Sequence, residues 1–201
     1  MCDGLRPDNR LDRQRIGNCF PPTGLTETER TGIIRLLALI LTATTLPAAE
    51  LRIGGATTSI TPDQPVALDG HRNLRISNKI ESPVTATALA WESRDGDKVL
   101  DQAIMVSLDL VGIRDGILNK VREKVQPRLA DFDVRKLFMN ATHTHNAPVT
   151  LEGRYTLPEK GNMKPAEYTE FMTSNVADAA VEAWQKRQPG KVGWGLGQAV
   201  V

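Results

Sequence analysis

The segment Ala103-Ile-Met-Val-Ser-Leu-Asp-Leu110 decides the fold of this chain. It is an almost continuous apolar run, which is typical of a strand buried on both faces of a sheet. A second strand is predicted from Lys136 to His143. Between them, apolar residues recur with a period near 3.6 and predict an amphipathic helix that ends around Pro127: Ile113, Ile117, Leu118, Val121, Val125 and Leu129. The whole segment therefore predicts a βαβ unit with two parallel strands.

Further strands and a helix extend this unit in both directions. Leu51 to Ile60 reads as a glycine-containing strand, and Val84 to Trp91 pairs with the apolar run through a turn at Asp95-Gly96-Asp97. Downstream, a helix begins at Pro165. The end of the chain, Lys191 to Val201, is predicted to be a strand with alternate glycines on one face, which something approaches closely. The expected fold class is α/β, with a mixed sheet, flanking helices and an incomplete domain.

The first 49 residues are predicted to lie outside this fold. Residues 1–29 are polar, contain a Pro-Pro-Thr-Gly breaker cluster, and read as a disordered or mis-started extension. Residues 30–49 have the basic, apolar and small-residue zones of a signal peptide, which predicts a secreted or periplasmic protein. The alternative for this segment is a short membrane-proximal or buried helix. Residues 50–201 form the expected domain.

Composition excludes several classes of function. The 25 basic and 24 acidic side chains show no charge asymmetry that would indicate a nucleic-acid partner. Both cysteines, Cys2 and Cys19, precede residue 20, so the body of the chain has neither a thiol nucleophile nor a cysteine-based zinc motif. No protein partner can be inferred from these features.

Two histidines follow the second strand of the βαβ unit in the stretch Asn140-Ala-Thr-His-Thr-His-Asn-Ala-Pro148. In an extended chain, His143 and His145 would point the same way, roughly 6 to 7 Å apart. Neutral imidazole is a preferred zinc ligand, so the spacing suits a metal site. The alternative is that both are polar residues at a strand end, hydrogen-bonded to backbone and solvent.

Two further residues are candidates for the same site. Asp109 interrupts the apolar run near its carboxyl end, where α/β proteins place ligands and where a buried carboxylate needs partners. Its alternative role is to cap the following helix. His71 lies on a loop after Gly70 and is either solvated or in contact with a substrate.

The stretch Asn140 to Pro148 resembles the Ala-Thr-His-Thr-His-Ser-Gly-Pro signature of the neutral/alkaline non-lysosomal ceramidase family. The resemblance covers roughly residues 51 to 201 and corresponds to the first part of a much longer catalytic domain. Other segments are also similar to the family's strands: Gly54 to Pro62, Pro83 to Ala90, Val106 to Leu110 and Trp194 to Val201.

The resemblance implies a zinc-dependent hydrolase that cleaves the amide of ceramide (N-acylsphingosine) into sphingosine and a fatty acid. It implies that His143 is a Zn²⁺ ligand and that His145 contacts the ion's water or the reacting oxygen. We interpret Asp109 as a carboxylate that orients an imidazole, and Asn146 and His71 as groups on the substrate side. A lipid amide substrate also implies peripheral contact with a membrane.

The sequence departs from the family pattern in ways that bear on specificity and activity. Asn146-Ala147 replaces Ser-Gly, and Glu81-Ser82 stands where many relatives have His-Asp. The family's other zinc ligands, a histidine, a glutamate and a tyrosine, come from regions beyond the position of Val201. We therefore expect a truncated chain that is inactive by itself.

Two other functions remain open from the sequence. One is a metal-dependent hydrolase of the amidohydrolase type, which also carries a His-x-His pair at a strand end, although normally on the first barrel strand. The other is a secreted α/β module without enzymatic activity, in which His143 and His145 are structural.

Overall fold

The computed structural model describes residues 49–198 together with the single position Thr28. Apart from Thr28 and Ala49, the expected extension and signal peptide lie outside the described residues. No described helix has the length and apolarity that crossing a bilayer requires.

Five strands form one mixed sheet in the order β4-β3-β2-β1-β5. Strands β3 and β4 are parallel, and the other pairs are antiparallel. The strand bounds are β1 Glu50–Ser59, β2 Thr85–Asp95, β3 Lys98–Leu108, β4 Leu137–Ala141 and β5 Gln188–Pro189. The α/β class, the hairpin and the βαβ unit predicted from the apolar run are confirmed.

Two α-helices, α1 (Ile117–Val125) and α2 (Pro165–Gln185), cover one face of this sheet. Short 3₁₀ turns at Gln126–Arg128 and Val134–Lys136 lead from α1 into β4. Alternate residues of the central strands point into the core under the helices, as the period of two requires. These fully buried strand residues are Ala86, Ala88, Ala90, Ile104, Val106 and Leu108.

Helix α2 approaches the sheet closely at one point, where β1 carries a glycine beneath it. A Cβ atom at Gly54 would lie 2.0 Å from the carbonyl oxygen of Ala183 in α2. Opposite Gly54, β2 supplies Ala90, another small residue. Helix and sheet therefore meet backbone to backbone at this point.

The first helix begins later than the sequence indicates. Its N-cap is Gly116, with a φ of 81°, and it has no side-chain cap. The capping role considered for Asp109 is therefore wrong, because seven positions separate it from Gly116. Val111 to Arg114 become a loop at the end of β3 instead.

The strand predicted over Lys191 to Val201 is wrong for the described residues 191–198, which have no regular secondary structure. Of residues 188–198, Gln188–Pro189 pairs with β1, and the Gly190 N–H then donates to the carbonyl of Leu51. Since β1 begins at Glu50, little strand backbone remains for further pairing. The expected close approach is also wrong, since nothing described lies within 4 Å of a Cβ built at Gly193, Gly195 or Gly197.

Candidate functional site

The candidate site lies where the two parallel strands end side by side. Leu108 of β3 pairs with Ala141 of β4, and the Thr142 N–H donates to the Leu108 carbonyl over 2.9 Å. Asp109 is the first residue after β3, and His143 is the second residue after β4. The expectation that both groups lie at the carboxyl edge of neighbouring strands is therefore confirmed.

Backbone conformation, rather than strand alternation, brings the two histidines together. Among the described residues, the non-glycine positions with positive φ are His143, at 62°, and Asn146, at 69°. Such values are costly for residues with a Cβ and concentrate at functional sites. The extended geometry predicted for His143 and His145 is thus wrong, but their ring centroids still lie only 5.3 Å apart.

The imidazole of His143 has a defined orientation. Its Nδ1 atom lies 2.7 Å from the carbonyl oxygen of Val111. Because a carbonyl only accepts hydrogen bonds, Nδ1 carries the proton. In the neutral imidazole Nε2 then carries the lone pair, which is the arrangement found in most metal-binding histidines.

His71 joins the other two histidines in a row. Its ring centroid is 6.4 Å from that of His145, and its Nε2 donates to Oδ1 of Asn146 over 2.5 Å. The carbonyl oxygen of His71 accepts hydrogen bonds from Arg154 and Tyr155 at 3.2 and 2.5 Å. His71 is thus tied to the motif turn.

Asp109 has a different set of contacts from the one expected. One carboxylate oxygen accepts from the backbone N–H and the hydroxyl of Thr85, at 2.9 and 2.8 Å. The other accepts from the hydroxyl of Thr142 at 3.3 Å. Asp109 therefore connects the start of β2 to Thr142, which follows β4. The contact with an imidazole that was expected of Asp109 is made by the carbonyl of Val111, which accepts from His143.

A cleft of about 930 Å³ opens beside His145. Its size is in the range of small-molecule sites. Thr144, His145 and Asn146 form part of its wall. The apolar lining consists of Pro62, Pro65, Val66, Leu68, Ile76, Ile80, Val84 and Pro148, and the charged lining of Asp63, Arg75, Lys79 and Glu81. The cleft therefore combines apolar and polar walls beside His145.

A buried carboxylate that no sequence pattern indicates lies next to this row. Asp69 is 4% exposed, and its Oδ2 accepts from Nη2 of Arg114 at 3.0 Å. Its Oδ1 accepts from the Gly70 N–H at 2.8 Å and lies 3.8 Å from Nε of Arg154. In the sequence, Asp69-Gly70 resembles any loop turn, and no periodicity connects it with Arg114.

The donor set for a metal is incomplete among residues 49–198. His143 and His145 lie close together, but no described group of three His, Cys, Asp or Glu residues could hold an ion. A catalytic zinc ion usually takes three protein ligands. The described chain therefore offers two candidate ligands and fits Zn²⁺ only in part.

The architecture belongs to the α/β class, with a parallel strand pair ending in a histidine turn. Among solved structures, the chain is similar to neutral ceramidase from Pseudomonas aeruginosa, with a TM-score of 0.60 and 20% identity over 71% of this chain and 23% of that one. It is also similar to a ceramidase complexed with C2, with a TM-score of 0.56 and 17% identity, over 71% and 22% of the two chains. Known protein families and curated proteins give no match.

These likenesses define the fold. The described chain has the fold of one part of a neutral ceramidase and spans less than a quarter of the length of those structures. The fold expected from the ceramidase resemblance is confirmed.

Proposed function

We propose that this chain supplies the His143/His145 side of a zinc-dependent site that hydrolyses the amide bond of ceramide. The observation that carries the proposal is the orientation of His143, whose Nδ1 donates to Val111 and whose Nε2 carries the lone pair. The shared ceramidase fold supports the choice of reaction.

In this proposal Nε2 of His143 is a zinc ligand. The chemistry that zinc supplies to amide hydrolysis is polarisation of the carbonyl and a lowered pKa of water. Since the described residues provide fewer than three ligands, we propose that the 201-residue chain binds zinc weakly and does not hydrolyse ceramide unaided.

The other residues of the row bind and orient the substrate. His145 lines the cleft and hydrogen-bonds the reacting oxygen, which lies beside His143. Asn146 shares the cleft wall, where it contacts polar groups near the amide, and His71 orients it by donating to its side chain. The apolar lining of the cleft takes up part of a hydrocarbon chain.

The proposal includes export and contact with a membrane surface. A signal peptide at residues 30–49 would direct the chain out of the cytoplasm. The exported chain would then meet its lipid substrate at the surface of the bilayer. Expression with a C-terminal tag, followed by N-terminal sequencing of the secreted product, tests this. A product that keeps residues 30–49 and stays in the cytoplasm contradicts it.

Zinc binding tests the proposed site. The purified chain, its His143→Ala variant and the control His71→Ala are titrated with zinc by competition against a chromophoric chelator. We expect binding in the micromolar range or weaker that His143→Ala abolishes and His71→Ala retains. A fluorescent ceramide is expected to remain uncleaved.

The possible results separate the parts of this proposal. Stoichiometric tight binding that is lost in His143→Ala would contradict the incomplete site but keep His143 as a ligand. Binding that survives His143→Ala, or no binding at all, would overturn the metal site and favour a structural role for the histidines.

A further inference from the structure

The ion pair between Asp69 and Arg114 connects loops that are distant in the sequence. Asp69 lies between β1 and β2, and Arg114 lies in the loop between β3 and α1. The side chain of Asp69 is 6% exposed and that of Arg114 is 36% exposed. Oδ2 of Asp69 lies 3.0 Å from Nη2 of Arg114. A carboxylate this buried needs a charged or hydrogen-bonding partner, and Arg114 supplies both.

The Asp69 loop forms the support of His145. The Asp69 N–H donates to the carbonyl of Ala147 at 2.8 Å, and its own carbonyl accepts from the Asn146 N–H at 3.2 Å. Gly70 has a φ of 88°, and a Cβ there would lie 2.5 Å from Cγ of His145. The imidazole of His145 therefore rests directly on the backbone of Gly70.

The Arg114 loop forms the support of His143. This loop also contains Val111, whose carbonyl accepts the hydrogen bond from Nδ1 of His143. Arg114 thus lies three residues from the group that orients one imidazole. Its partner Asp69 is adjacent to the residue that supports the other.

We propose that Asp69 and Arg114 are positioning residues that fix the separation and relative tilt of the imidazoles of His143 and His145. The ion pair joins the two supports across the site, so a change in either residue moves one support relative to the other. The importance of this separation rests on the proposed function, whereas the positioning itself requires neither metal nor substrate.

The test uses the imidazole signals of the full chain, which contains three histidines. Histidine labelled with ¹³C and ¹⁵N in the ring is incorporated, and each signal is assigned with single His→Gln variants. The metal-free protein is then compared with Asp69→Asn, which keeps the side-chain shape and an acceptor for Gly70 but loses the charge. Asp178→Asn is the control, because the Arg128–Asp178 pair has a similar contact distance of 2.6 Å and lies exposed on the surface.

We expect Asp69→Asn to shift the signals of both His143 and His145 and to remove the nuclear Overhauser contact between Gly70 Hα and the His145 ring. Asp178→Asn should leave all three signals in place. Gly70→Ala should move the His145 signal more than the His143 signal, because only one support is altered.

A purely structural role would give a different result. If Asp69→Asn lowers Tm but the folded protein keeps both imidazole signals at their original positions, the proposal is overturned. If this variant does not fold, Arg114→Lys, which keeps the charge but loses the fork of donors, replaces it under the same criteria. Should zinc binding fail while the signals move, the proposed function falls and the positioning role stands.

Discussion

Nδ1 of His143 lies 2.7 Å from the carbonyl oxygen of Val111, and this contact selects the Nδ1–H tautomer of the neutral imidazole. A side chain at the end of β4 is oriented by backbone that follows β3, so the parallel pairing of these strands determines which nitrogen faces the site. The three histidines lie in one row but differ in the hydrogen bonds that orient their rings.

The tautomers of His143 and His71 are therefore predicted to be opposite. His143 carries its proton on Nδ1, whereas His71 carries it on Nε2, from which it donates to Asn146. Long-range ¹H–¹⁵N spectra of the metal-free chain, at about pH 8 where imidazole is mostly neutral, distinguish the two forms. Finding the Nε2–H form for His143 would contradict the proposed ligand atom.

Asp109 is predicted to matter for stability and not for the metal. Replacement of Asp109 by alanine leaves the Thr85 N–H without its acceptor, which should cost roughly 1 to 3 kcal/mol in free energy of unfolding. Urea denaturation measures this loss, with Asp115→Ala at an exposed loop position as the control. Zinc affinity should stay unchanged, and a large loss of affinity in Asp109→Ala would show that the carboxylate acts on an imidazole.

Tyr168 is predicted to make stability depend on alkaline pH. Burial raises the pKa of its hydroxyl above the ordinary value of about 10. This hydroxyl donates to the carbonyl of Ile60 at 3.0 Å. Up to about pH 10 the hydroxyl is protonated in both states, and above this pH the unfolded chain loses its proton first, so stability falls.

The variant Tyr168→Phe isolates this effect. It should lose about 1 to 2 kcal/mol at neutral pH, because the Ile60 carbonyl has no donor. The difference in stability between wild type and variant should then shrink above about pH 10. Chemical denaturation at several pH values measures it, and a difference that stays constant would contradict the assignment.

Glu92 is predicted to hold the end of α2 against the sheet. Its carboxylate is 2% exposed and lies 3.3 Å from Nε of Arg187, with Arg94 at 3.9 Å. Glu92→Gln removes the charge opposite two arginines and should cost about 3 kcal/mol. The control Glu182→Gln breaks an exposed i,i+4 pair with Lys186 and should change stability by less than about 0.5 kcal/mol. Equal effects of the two substitutions on thermal unfolding would argue against the network.

Local sequence patterns account for most of the fold. The apolar run that became β3 and the periodic helix after it carry their information within single segments, so strand, helix and parallel crossover follow from them. The strand predicted for Lys191 to Gln198 was wrong, because alternating glycines do not specify a strand unless a neighbouring strand is present to pair with.

The site was predictable where its residues share one motif or follow predicted neighbouring strands, as Asp109 and His143 do. His143, His145 and Asn146 lie within one motif, and their nearness follows from it. Asp69 and Arg114 are separated by 45 positions, and nothing in either local segment indicates that they meet. The positive φ of His143 also depends on loop contacts that no periodicity reports.

Because Gly54 contacts the backbone of Ala183, the codon for residue 54 is expected to show whether natural selection still maintains the folded protein. With a helix oxygen 2.0 Å from the place of a Cβ, every amino acid other than glycine displaces α2, whereas the nearest neighbours of a Cβ at Gly55 are 3.8 Å away. Among natural variants of this gene, a lineage that still needs the folded protein will retain glycine at position 54 while position 55 drifts. A lineage that has abandoned the protein will accumulate replacements equally at both.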